Sequence, residues 1–172
     1  MNNNNFDQSE KHPQETSEQH KFQKDFCQTY EEAFIWRFGY YIDLMQCFAE
    51  YLGRETLIEM IIRAVDERGK GDGPDNPAHT FPDYIASGKR MFKNMMTWEV
   101  IEESDSVYEI KVTECLWART FQEKNAADIG YATICYSDFS DASAYHSKIK
   151  LKRTKTIMQG DDCCNHRWTW EE

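Results

Sequence analysis

Trp98-Glu99-Val100-Ile101-Glu102-Glu103-Ser104-Asp105-Ser106-Val107-Tyr108-Glu109-Ile110-Lys111-Val112-Thr113 is where this chain turns from a helical pattern to an extended one. Successive side chains on a strand point to opposite faces. Tyr108, Ile110 and Val112 therefore share one apolar face. The polar run Glu103–Ser106 separates two segments rich in β-branched and aromatic residues, so the stretch predicts a hairpin.

Upstream the period is helical. Phe22, Phe26, Tyr30, Phe34 and Phe38 fall four apart, and the stripe continues through Tyr41, Met45, Phe48 and Leu52. This spacing predicts a core-facing helix that begins near Thr16, with Gly39 as a kink and Gly53 as its stop. A second helix is expected over Glu55–Arg68, with Leu57, Ile61, Ala64 and Val65 inward. Gly69–Pro77 is dense in Gly, Pro, Asp and Asn and reads as a loop. It is not a phosphate loop, because Lys70 precedes the glycines that would have to come first. A third helix is expected from Pro82 to Met96.

Downstream the expected elements are helices at 116–124 and 126–135, a helical turn at 141–145, a strand over Ile149–Ile157 and a final strand ending at Trp170. Helices come first and strands cluster later, which predicts an α+β fold. N-terminal helices should pack on a small antiparallel sheet formed mainly by the C-terminal half. Residues 1–15 are polar and read as a disordered leader. Residues 16–172 read as one domain, helical over about 16–96 and sheet-containing over about 97–172.

The 172 residues carry a net charge of −10. That excess argues against nucleic acid or an anionic membrane as partner, since both select clustered positive charge. Lys148, Lys150 and Lys152 share one strand face and read as a solvated face. The most apolar window, Ala33–Leu52, is broken by Arg37, Asp43 and Glu50, so no membrane span is expected. With no apolar export signal in residues 1–20, the expected location is cytoplasmic and the six cysteines are expected to stay reduced.

The final strand, Cys163-Cys164-Asn165-His166-Arg167-Trp168-Thr169-Trp170, carries the chemistry. Alternation puts Cys164, His166, Trp168 and Trp170 on one face, with Cys163, Asn165 and Arg167 on the other. A thiol beside an imidazole is the minimum for nucleophilic catalysis and part of a zinc ligand set. Cys115 and Cys135 fall at expected element ends, where they could converge with Cys164. Asp138 could orient the imidazole or position a water. Zinc held by three thiolates and His166 is the alternative to a thiol nucleophile, although Cys163 and Cys164 face opposite ways and no C-x-x-C pair occurs. Cys27 and Cys47 read as packing residues of the aromatic helix.

Glu114-Cys115-Leu116-Trp117-Ala118, Asn125 through Tyr131 to Cys135 and Asp138, and Gly160-Asp161-Asp162-Cys163-Cys164-Asn165-His166-Arg167 together resemble the L-2-amino-thiazoline-4-carboxylic acid hydrolase family. The resemblance covers roughly residues 95–172. It implies that Cys115, Cys135, Asp138 and Cys164 are the family's polar positions and that Gly160 forms the turn. Two positions depart from it. Asn125 stands where many relatives carry Gly, and Asn also tolerates a left-handed conformation. His166 stands where others carry an aromatic residue. The activity implied is hydrolytic opening of a small heterocyclic amidine, with protonation by Asp138 or His166 and with Arg119 or Arg167 as candidates for the substrate carboxylate. The alternative is a non-catalytic small-molecule or metal-binding sensor module.

Overall fold

The computed structural model of the protein describes residues 29–70, 76 and 78–171. Helix α1 (Tyr30–Leu52) opens on a capping box. The Thr29 hydroxyl accepts the Glu32 backbone N–H at 3.1 Å, and the Glu32 carboxylate accepts the Thr29 N–H at 3.0 Å. The aromatic helix is therefore capped at Thr29. The expected start near Thr16, Phe22, Phe26, Cys27 and the expected leader all lie outside the described residues. Phe34 and Ile42 are buried, and Phe38, Tyr41 and Met45 pack around them, whereas Tyr30, Phe48 and Leu52 are exposed. The stripe is core only in its middle. Gly39 lies inside the unbroken helix, beneath the Lys124 side chain. Gly53 does stop it, at φ +84°, and α2 (Arg54–Arg68) starts at once.

Helix α3 (Phe81–Phe92) is capped by Thr80, whose hydroxyl accepts the Asp83 N–H. It is shorter than expected, because Met96 already belongs to strand β1 (Met96–Glu103). A tight turn in which the Ser104 N–H donates to the Val107 carbonyl at 2.8 Å leads into β2 (Val107–Cys115). β3 (Ile149–Lys152) and β4 (Cys164–Trp170) complete a four-stranded antiparallel sheet in the order β1-β2-β4-β3. β1 pairs with β2 through two register irregularities, at Thr97/Trp98 and Val100/Glu102. The fold is α+β, with helices first and the sheet formed by the C-terminal half.

Three C-terminal segments depart from the sequence pattern. Residues 126–135 form a short α5 (Ala127–Gly130) that widens into a π-helical turn over Tyr131–Cys135. Instead of a turn at 141–145, α6 runs over Ser137–Tyr145. The strand expected to reach Ile157 leaves the ladder after Lys152, and Ile157–Gln159 form a 3-10 turn ending at Gly160, φ +98°. α4 (Leu116–Glu123) follows β2 directly, and Asn125 after it adopts φ +53°.

The core has two parts. Phe34, Ile42, Leu57, Trp117, Phe121, Ile129 and Met158 fill the space among α1, α2, α4 and α5. Phe81, Ile85, Tyr108, Ile110, Val112, Ala142, Ile149 and Cys164 lie between the sheet and the helices α3 and α6. Each fully buried side chain of this size stabilises by about 1.5–3 kcal/mol. Cys115 packs against both parts, so the end of β2 marks the seam between them. Among the described residues, no helix is long and apolar enough to cross a membrane.

Candidate functional site

The face of β4 is as alternation predicts. Cys164 pairs with Val112, His166 with Ile110 and Trp168 with Tyr108, which places them on the buried face of the sheet. Arg167 pairs with Glu109 on the opposite face and donates to the Glu102 and Glu109 carboxylates. The His166 ring is stacked on Trp168 with centroids 5.1 Å apart and planes 6° apart, and Trp168 stacks in turn on Tyr108 at 6.0 Å. This stack fixes the imidazole plane.

Across from His166, Asp138 stands in the first turn of α6, where a carboxylate is favoured by the helix dipole. Between them lies Arg153, one residue beyond β3. Its side chain is 2% exposed while that of Asp138 is 28% exposed. Arg153 Nη1 donates to Asp138 Oδ2 at 2.6 Å and lies 3.1 Å from His166 Nε2. Its Nη2 donates to the Cys135 carbonyl at 2.8 Å. The guanidinium carbon sits 5.0 Å from the Phe139 ring centroid.

The π-helical turn explains why that carbonyl is free. The Tyr136 N–H reaches back five residues to the Tyr131 carbonyl, and the Phe139 N–H bonds the Tyr136 carbonyl rather than that of Cys135. The widened turn so presents an unpaired backbone acceptor, which Arg153 takes.

Three thiols border this group. Cys115 ends β2 and caps α4, its sulfur accepting the Ala118 N–H at 3.5 Å. The Cys164 sulfur accepts the Ile157 N–H at 3.2 Å. Cys135 is within electrostatic range of Arg153, Asp138, Cys115 and Cys164. Burial pushes all three thiols up. Cys164 rises from 9.0 to about 11, opposed by the Ile157 N–H and reinforced by Cys115. Cys135 rises further, mainly by burial, with the Arg153 charge pulling the other way. Cys115 rises by burial against the N–H groups of Ala118 and Trp117. At pH 7 a thiol with a pKa near 11 is ionised in roughly one molecule in 10,000, so Cys164 is no resting thiolate.

The structure thus puts Cys115, Cys135 and Cys164 within electrostatic range of Asp138, which lies 3.5 Å from His166. It does not bring Arg119 or Arg167 to them. Arg119 is ion-paired with Glu31, and Arg167 with Glu102 and Glu109. Gly160 forms its turn with open space where a Cβ would stand. Cys163 is buried, although alternation assigned it to the opposite face from Cys164. Among the described residues no three His, Cys, Asp or Glu side chains gather as a metal site.

Arg153 is the functional residue absent from the sequence reading, because it stands in a basic stretch with Lys148, Lys150, Lys152 and Lys155. The signal was present. Along a strand from Ile149, Arg153 falls on the face of Ile149 and Leu151, opposite Lys150 and Lys152.

No curated protein matches the chain. Among solved structures, the phenol-responsive sensory domain of the transcription activator PoxR with phenol is similar over 74% of this chain and 71% of that one. It shares 14% identity with this chain, at a TM-score of 0.47. The sequence model of L-2-amino-thiazoline-4-carboxylic acid hydrolase matches residues 29–168, which include every residue of the Asp138 site, and the chain belongs to that family.

Proposed function

We propose that this protein hydrolyses a small cyclic amidine of the L-2-amino-thiazoline-4-carboxylate type, with Asp138 as the group that moves the proton. Family membership supplies the substrate class. The single observation that carries the residue assignment is a partly exposed carboxylate held by a buried arginine beside an imidazole, bordered by three neutral thiols. The electrophile is the ring carbon between sulfur and nitrogen. Asp138 takes a proton from water as the oxygen adds to that carbon. Asp138 passes that proton to the ring nitrogen; the adduct then breaks its bond to the ring sulfur or ring nitrogen, and its hydroxyl proton passes through Asp138 to the departing atom as the carbonyl forms. One water is consumed and the product is an open-chain carbamoyl-cysteine. The thiols, kept protonated by burial, serve as weak donors and as a shaped wall.

The test is incubation of the purified full chain with L-2-amino-thiazoline-4-carboxylate, followed by mass spectrometry for addition of one water. Turnover that falls by about two orders of magnitude in Asp138→Asn, with the fold retained, supports the assignment. Calorimetric binding with no turnover makes the protein a binding module instead.

A further inference from the structure

Asp138 Oδ2 and His166 Nε2 are 3.5 Å apart. Alone, that spacing suggests a carboxylate–imidazole couple in which Asp138 receives a proton from Nε2. Arg153 forbids it. Its Nη1 is closer to Nε2, at 3.1 Å, than the carboxylate is. A guanidinium carries donors only. A hydrogen on Nε2 would face an Nη1 hydrogen across that gap, whereas a lone pair on Nε2 accepts it. The other Nη1 hydrogen serves Asp138 Oδ2, and Nη2 is committed to the Cys135 carbonyl. With its guanidinium stacked against Phe139 and its side chain 2% exposed, Arg153 has no room to turn away.

We propose that Arg153 is a positioning residue that holds His166 as its Nδ1–H tautomer, withholding Nε2 from Asp138 and leaving the carboxylate as the only proton acceptor of the pair. Nδ1 is the ring nitrogen that is buried without a protein partner. An unsatisfied buried N–H costs about 1–3 kcal/mol, a cost that the Arg153 contact at Nε2 has to outweigh. His166 on this account is a fixed acceptor for Arg153 through Nε2, and Asp138 is the base. The kinetic consequence rests on the hydrolytic reading above; the tautomer does not.

The experiment is long-range proton–nitrogen correlation on the nitrogen-15-labelled full chain, with His166→Gln to assign the ring signals. The wild type should show an unprotonated Nε2. Arg153→Met, which removes every donor, should move the proton to Nε2, where Asp138 can accept it. Arg153→Leu, which also carries no donor, serves the same purpose if the Met variant does not fold. In the folded variant kcat should drop about 100-fold with KM nearly unchanged, the pattern of a misplaced catalytic group. A protonated Nε2 in the wild type overturns the proposal, and so does an Nδ1–H tautomer that survives the loss of Arg153. Absence of turnover in a wild type with the expected tautomer refutes the hydrolytic reading and leaves the tautomer assignment standing.

Discussion

Arg153 and Asp138 form an ion pair 2.6 Å long in which the cation is sealed and the anion reaches solvent. Removing one member of a buried pair strands the other's charge, at about 3–5 kcal/mol. We expect Asp138→Asn to lower stability toward that range, discounted for the part of the carboxylate that water can reach. Arg153→Met should also destabilise. The double variant should cost less than the two singles together by about 1–3 kcal/mol. Urea melts of the four proteins measure this coupling, and strict additivity would deny that the pair acts as a unit.

Thiol accessibility is the second expectation. Cys47 is exposed, whereas Cys163 and Cys164 are buried and Cys115 and Cys135 half-buried. Alkylation at pH 7.5 followed by peptide mapping should modify Cys47 first among these five. Cys164 should become reactive only as the pH approaches its raised pKa or as the protein unfolds. Rapid modification of Cys164 in the folded protein at neutral pH would contradict the burial argument.

Alkaline pH should destabilise the fold. Cys164 ionises near 9 when unfolded and near 11 when folded. Its contribution is whole below about pH 9 and is lost as pH rises toward 11, because the unfolded chain releases its proton first. Two pKa units correspond to at most about 3 kcal/mol. Cys135, Cys115 and Tyr84 shift in the same direction through burial and add to the decline. Melting temperature measured from pH 8 to 10.5 should fall, less steeply in Cys164→Ala than in the wild type.

Two glycines should fail for different reasons. A Cβ at Gly130 would lie 2.7 Å from Met158 Sδ and 2.7 Å from Phe121 Cγ, so Gly130→Ala overpacks the helical core by about 1–3 kcal/mol. At Gly160 nothing stands within 4 Å of the Cβ, but φ is +98°. Gly160→Ala therefore pays only backbone strain, about 1–2 kcal/mol. Met158→Ala should relieve the first variant only in part, because the Phe121 ring still crowds the new Cβ, and should not relieve the second, which thermal melts can check.

Arg119 and Arg167 offer a negative control. Each is bound to surface carboxylates on elements away from Asp138. Exposed pairs are worth about 0–1 kcal/mol. We expect Arg119→Ala and Arg167→Ala to leave KM for an amino-thiazoline carboxylate within about threefold of wild type. A much larger rise would return one of them to the substrate.

Where strand alternation applied, the sequence was readable at the level of single residues. Alternation placed Cys164 and His166 on one shared face, and the turn residues located the turn at Glu103–Ser106 and gave Gly53 as a helix stop. Asn125, standing in for glycine, does adopt the left-handed conformation. What could not be read follows from features that carry no period. A π-helical turn is one residue out of step with the helix around it, so Tyr131–Cys135 looked like ordinary helix. Residues after Lys152 keep an extended, alternating pattern but have no partner strand, because the chain there is held by side chains: Asn165 accepts the Thr154 and Lys155 N–H groups, and Asp161 that of Thr156. Arg153 was obscured for the same reason, as a charge inside a basic run whose burial depends on Asp138, fifteen residues earlier.

The interrupted pairing of β1 bears on how copies of this protein meet one another. β1 and β3 are the sheet's outer strands, and each offers backbone groups that a neighbouring chain could capture. β1 is bent twice by its irregularities and bears Glu99, Glu102 and Glu103; β3 is only four residues long and bears Lys150 and Lys152. A second β3 edge would meet the same lysines, and β1 and β3 differ in length, eight residues against four. The irregular pairing that looks like a defect of the hairpin is thus also a feature that disfavours the addition of a further strand at that edge.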